Sequence, residues 1–192
     1  MTRLGFCILC VAILAPPALA QRPPRPHRSG LWAEFGAGPG LVRVACAGCN
    51  DVVSSHGATG YIRIGGTASD HVLIGFEAFG LAQGHKTTRA ETATAAVVAV
   101  WFPGRSGLFF KSGVGAAWGQ FTVPGAGADT SRGTGIGLTF GLGWDLPLSR
   151  QVAVTTNLAA YVTGLGDVVA PGRRVDDVIA TMYQAAIGFT FR

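Results

Sequence analysis

Residues 133–145 read Gly-Thr-Gly-Ile-Gly-Leu-Thr-Phe-Gly-Leu-Gly-Trp-Asp. Ile136, Leu138, Phe140, Leu142 and Trp144 alternate with Gly135, Gly137, Thr139, Gly141 and Gly143. A period of two is the signature of a β-strand, whose successive side chains leave opposite faces. One face here is large and apolar; the other is almost free of side-chain atoms. In a soluble sandwich the apolar face would meet a second sheet. In a barrel in lipid it meets hydrocarbon, and the small face points inward.

The same alternation recurs along the chain. Leu31, Ala33, Phe35 and Ala37 oppose Trp32, Glu34, Gly36 and Gly38. Ile62 and Ile64 oppose Tyr61, Arg63 and Gly65, and Phe110, Val114, Ala116 and Trp118 oppose Lys111, Gly113, Gly115 and Ala117. Val152, Val154, Leu158, Ala160 and Val162 oppose Thr155, Asn157, Tyr161 and Thr163. In the last segment Ile179, Tyr183, Ala185, Ile187, Phe189 and Phe191 oppose Met182, Gln184, Ala186, Gly188 and Thr190. Residues 72–83 change phase, with Ile74 and Phe76 on one face and Phe79 and Leu81 on the other; a bulge at Ala78–Gly80 would restore it. Residues 91–102 are apolar on both faces from Ala95 onward, a pattern that a short buried helix shares.

Eight strands follow, near 31–42, 57–67, 72–83, 91–102, 108–120, 133–144, 151–163 and 177–191. Short connections (Ala68–His71, Pro103–Gly107, Asp145–Arg150) alternate with long polar ones (Arg43–His56, Gly84–Ala90, Phe121–Arg132, Gly164–Asp176). That alternation suits an eight-stranded antiparallel up-and-down transmembrane β-barrel with both termini on the short-turn side. Trp32, Trp101, Phe102, Phe109, Phe110, Trp144, Phe189 and Phe191 near the short turns, and Tyr61, Phe79, Trp118, Phe121 and Tyr161 nearer the long loops, predict two aromatic girdles. A soluble lipocalin-like barrel is the competing fold, but its glycine face would then point to solvent.

Composition agrees. The chain has 192 residues, 29 of them glycine, and only 13% charged. Mean hydropathy is +0.38, yet no apolar run after residue 20 reaches the ~18 residues of a spanning helix. Disorder is excluded by high apolar content and low net charge.

Met1–Ala20 reads as a secretory signal. Arg3 precedes an apolar run from Phe6 to Leu14, and Ala18-Leu19-Ala20 forms a small-x-small cleavage site. Removal leaves 14 basic and 10 acidic side chains. Residues 21–30 form a Pro/Arg-rich tether, and residues 31–192 the barrel domain. The tether's cations suit anionic headgroups or another polyanion. Nucleic acid is not expected as a partner, because the remaining basic residues are scattered and the chain is exported.

These features resemble the small outer-membrane β-barrel proteins of Gram-negative bacteria, the OmpA-barrel and OmpX-like porin-family domains. The resemblance rests on the export signal, eight alternating strands and a last strand ending Tyr183-Gln-Ala-Ala-Ile187-Gly-Phe189-Thr-Phe191. It implies outer-membrane localisation, contact with outer-membrane lipid and lipopolysaccharide, and recognition of the C-terminal strand by the barrel-assembly machinery. Arg192 after Phe191 departs from that strand pattern.

An eight-stranded barrel has an interior that side chains roughly fill. Glu34, Arg63, Glu77 and Lys111 face inward in this reading, with Thr139, Asn157 and Gln184 as hydrogen-bonding neighbours. Two acids and two bases in such a space must pair. The cluster is read as a structural plug, with a narrow path for ions or small hydrophobic molecules as the alternative. Ile136, Leu138, Phe140, Leu142, Ile187 and Phe189 are the lipid-facing set.

In the first long loop Cys46 and Cys49 are the only cysteines left after export, which makes them a disulfide candidate. With His56 they also form a weak metal reading lacking a fourth ligand, so no metal and no cofactor is assigned. Asp51, Ser54, Ser55 and His56 invite comparison with lipid-modifying barrel enzymes. Adjacency in a polar loop supplies neither the nucleophile–base geometry nor an oxyanion hole, so no catalytic residue is assigned.

Overall fold

A computed structural model describes residues 29–45, 53–85, 88–123, 129–170 and 173–192. Eight strands carry the described chain: β1 (Leu31–Ala45), β2 (Val53–Ser69), β3 (Val72–His85), β4 (Thr88–Trp101), β5 (Leu108–Val123), β6 (Asp129–Pro147), β7 (Val152–Ala170) and β8 (Arg173–Phe191). Each pairs antiparallel with its sequence neighbours, and β1 pairs with β8, closing an up-and-down barrel. Closure removes the free edges that an open sheet of this apolarity would expose. No described helix is long and apolar enough to cross a membrane.

The two faces separate as the alternation requires. Ile136, Leu138, Phe140, Leu142, Ile187 and Phe189 are all exposed on the outside, Ile136 at 70% and Ile187 at 65%. Inward glycines make room for large side chains from neighbouring strands. A Cβ on Gly143 would stand 2.3 Å from the Phe109 ring, and one on Gly36 2.7 Å from the Tyr61 ring. The atom-poor face of β6 is therefore the space that β5 fills.

Three sequence expectations are corrected, and the strand at 91–102 is borne out. No bulge occurs at Ala78–Gly80; β3 pairs regularly through these residues with β2 and β4. Phe79 and Leu81 instead point into the lumen, each 2% exposed. The phase never changes; the lumen simply has an apolar region there. The ambiguous segment at 91–102 is strand, with Val97 and Ala99 outside and Val98 and Val100 inside.

The strands run well into the segments expected to be long loops. Ser54 to His56 belong to β2 and pair with Leu41 to Arg43, and Arg173 to Asp177 belong to β8. Polar residues there mark the wall leaving the apolar band, not the end of pairing. The girdles are also sparser than expected. Trp32, Phe102, Phe109, Tyr61, Phe79 and Tyr161 are inside. Trp101, Phe110, Trp144, Phe189 and Phe191 form the outer ring at the short-turn end, while Trp118 and Tyr183 lie outside nearer the other end.

The lumen is layered. Near the short turns Trp32, Leu73, Val100, Phe102 and Phe109 pack together. Toward the long connections Val42, Leu81, Leu165, Val178 and Met182 form a second apolar cluster, continuous with Tyr61, Phe79 and Tyr161. Between them lie the charged residues.

Candidate functional site

Each charged side chain comes from the inward register of a different strand. Glu34 of β1 pairs with Arg63 of β2, and Arg63 pairs with Glu77 of β3. Lys111 reaches the same point from β5. Arg63 donates from Nη1 to both Glu34 oxygens at 3.0 Å and from Nε to Glu77 Oε2. Lys111 Nζ donates to both Glu77 oxygens, at 2.9 and 2.7 Å. The chain Glu34–Arg63–Glu77–Lys111 is charge-neutral, and each member is at most 4% exposed. Breaking such a buried pair on one side typically costs ~3–5 kcal/mol, because the other charge is stranded.

Tyrosines cap both ends of the chain. Tyr61 donates its hydroxyl to Glu34 Oε1 at 2.6 Å, and its ring lies 4.5 Å from the Arg63 guanidinium carbon. Lys111 donates to the Tyr161 hydroxyl at 3.2 Å and stands 4.9 Å from that ring's centre. Phe79 stacks on Tyr161 at 3.7 Å between centroids, crossing the lumen above the charges.

The predicted hydrogen-bonding neighbours divide. Gln184 Nε2 donates to Thr59 Oγ1 at 2.9 Å, and Thr59 donates to the Gly38 carbonyl at 2.7 Å. Asn157 reaches Gln184 at 3.5 Å and makes no direct bond to the charged groups among the described residues. Thr139 is buried, but its hydroxyl has no partner among the described residues; Arg63 Nη2 and Asn157 Oδ1 also lack one. Cys46 and Cys49 lie outside the described residues, as does the segment 1–28 that holds the leader and most of the tether. Among the described residues no group of three His, Cys, Asp or Glu side chains is placed to hold a metal ion.

Sequence reasoning missed a second buried polar group. Asp145 accepts from Thr155 at 2.8 Å and pairs with Arg192, while Thr155 and Thr190 hydroxyls meet at 2.6 Å. Its polar character alone puts Asp145 in the short connection 145–150. Its parity with Thr139, Gly141 and Gly143 already placed it inside. Tyr61 and Tyr161 carried the same signal, since each alternates with outward apolar neighbours.

No protein-family model matches the chain, and no curated protein sequence matches it. Solved structures do. Neisserial surface protein A superposes with a TM-score of 0.58 at 16% identity, over 85% of this chain and 97% of that one. Ail, the attachment invasion locus protein of Yersinia pestis, gives 0.56 at 13% identity over 85% and 99%. The outer membrane protein OprG from Pseudomonas aeruginosa gives 0.53 at 14% over 88% and 99%. A closed, apolar-walled barrel of eight antiparallel strands with a charged interior layer thus has the fold of the small outer-membrane β-barrels.

Proposed function

We propose that this chain is an integral outer-membrane barrel, exported by a cleaved leader, with a plugged lumen and a structural or surface-interaction role rather than an enzymatic one. The observation that carries the plugged reading is the layering. A neutral charged layer is bracketed by apolar layers on both sides, Trp32, Phe102 and Phe109 below and Val42, Leu81, Leu165 and Met182 above. An ion crossing it would have to shed water against hydrocarbon twice. Membrane insertion is supported by the apolar wall. Ile136 to Leu146 on β6 spans ten residue steps, ~25 Å at ~3.3 Å per residue and ~40° tilt, which matches a lipid-facing band.

The surface partners follow from that placement: outer-membrane lipid and lipopolysaccharide around the wall, and the barrel-assembly machinery at the C-terminal strand. Against a hydrolase, strand alternation sends Ser55 and His56 to opposite faces of β2. Ser54 shares the outer face with His56 but stands two residues away, ~6.5 Å along the strand.

A narrow channel is the second reading. It is favoured by three buried polar atoms without partners among the described residues, on Arg63, Thr139 and Asn157, spread through the lumen. Planar-bilayer recording of the refolded mature chain separates the two. The plugged reading expects little steady conductance, and Lys111→Met lowers stability. Stable single-channel currents whose selectivity moves toward cations in Lys111→Met would replace it with the channel.

A further inference from the structure

Pro39 stands in the middle of the wall. It is the ninth of fifteen residues in β1, exposed on the outer face between Ala37 and Leu41. A proline has no N–H to give to a ladder, so strands paired on both sides rarely hold one. On one side nothing is lost. Pro39 pairs with Ala58, and the β1–β2 ladder is unbroken. The missing donor therefore faces β8. There the pairs run to Ala37 with Ile187 and resume at Gly40 with Gln184, in unchanged register. The Ala185 carbonyl, opposite Pro39, is the acceptor left without its ladder donor. The other interruptions, at Thr67–Ser69, Arg132–Ile136 and Gly164–Val168, shift the register and lie toward strand ends. The β1–β8 seam is thus one hydrogen bond short at the depth of the apolar band, where lipid offers no substitute.

A groove outside the seam shows how thin the wall is there. Pro39, Leu41, Tyr183 and Ala185 line it from the outer face, and so do Gly40 and Gln184, whose parity is inward. Inside, side chains cross the same place. Gln184 of β8 reaches over β1, and its Nε2 donates to Thr59 Oγ1 of β2 at 2.9 Å. Thr59 in turn donates to the Gly38 carbonyl of β1 at 2.7 Å. Gly38 and Gly40 leave the path over β1 clear; a Cβ at Gly40 would run into the Thr59 methyl. Tyr161, which accepts from Lys111, donates to Gln184 Oε1 at 3.5 Å and ties the bridge to the charged chain. Packing alone would ask for an apolar side chain at 184, since Met182 and Ala186 flank it on the same buried face.

We propose that Gln184 and Thr59 form a latch that holds the β1–β8 seam shut from the lumen side, where Pro39 leaves the ladder short. The latch joins β8 to β2 across the strand at which the backbone ladder is weakest, so the seam opens first when it is released.

Hydrogen exchange at the seam tests this. The mature chain is refolded into lipid nanodiscs, and amide exchange at residues 37, 41, 185 and 187 is compared with residues 114 and 138 of the unbroken β5–β6 ladder. One hydrogen bond at its ordinary net contribution changes a local opening equilibrium roughly 5-fold. Wild type is expected to exchange ~5-fold faster at the seam than at β5–β6. Gln184→Leu and Thr59→Val should each speed the seam by a further ~5-fold and leave residues 114 and 138 unchanged. Pro39→Ala restores the donor; it should slow the seam and return the Gln184→Leu seam toward the wild-type rate. Equal acceleration of both ladders by Gln184→Leu would mean general packing and overturn the proposal. So would a wild-type seam no faster than β5–β6, or a Pro39→Ala seam no slower than wild type. The membrane-spanning reading enters only through what faces the seam. Failure to insert would remove that reading, and the same comparison in detergent micelles would still decide the latch.

Discussion

At the scale of the residue, parity decides surroundings. Leu138 and Thr139 are neighbours in β6, yet Leu138 is 43% exposed on the wall and Thr139 is 2% exposed in the lumen. Leu138→Arg puts a charge on the lipid side and should cost ~2–4 kcal/mol in liposome unfolding titrations. Thr139→Ala removes a hydroxyl with no partner among the described residues and should cost well under 1 kcal/mol. Equal costs would reverse the facing of β6. The inward positions of Glu34, Arg63, Glu77, Lys111 and Gln184 were legible from parity alone. Phe79 and Leu81 were not. Side-chain character separates lumen from lipid only where the lumen is polar, and near these residues it is apolar.

Strand length is set by hydrogen bonding, which polarity does not report. The wall continues past the apolar band into Ser54, Ser55 and Arg173, which read as loop because their side chains are polar. Glycines within a strand show a similar split. Gly143 has the inward parity and Gly60 the outward one: a Cβ at Gly143 would meet Thr156 O at 2.2 Å and the Phe109 ring at 2.3 Å, whereas at Gly60 the nearest atom is 3.8 Å away. Gly143→Ala should destabilise by ~1–3 kcal/mol, with Gly60→Ala near neutral. Measured costs of the opposite order would mean that β6 does not pack on Phe109. The end of β8 has its own fastening. The Arg192 N–H donates to the Gln151 carbonyl at 2.9 Å, and its guanidinium pairs with Asp145. The residue that departed from the family-like ending is thus held to the β6–β7 hairpin. In a double-mutant cycle, Asp145→Ala and Arg192→Ala should be strongly non-additive, with a coupling of ~0.5–3 kcal/mol. Additive losses would show that the pair does not fasten β8.

On the scale of the whole molecule, the barrel turns a soluble protein inside out only in part. Its wall is apolar for lipid, but its lumen still has apolar layers above and below one neutral charged layer. The eight-strand closure could be read from alternation and connection lengths; the layering could not, because it depends on which inward residues share a height across strands. The four tryptophans report on this arrangement directly. Trp32 is 4% exposed inside the barrel, while Trp101, Trp118 and Trp144 are 51%, 46% and 41% exposed on the wall. Trp118 stands eight residues along β5 from Phe110, ~20 Å higher at the strand's rise and tilt. Four variants, each keeping one tryptophan with the others changed to phenylalanine, can be refolded into vesicles of brominated phosphatidylcholine. Trp101, Trp118 and Trp144 should be quenched, most by bromines near the headgroup, because they belong to opposite interfaces of one band. Trp32 should keep nearly all its emission. Quenching of Trp32 to the level of the other three would place β1 with the wrong face to lipid, and Glu34 would leave the lumen with it.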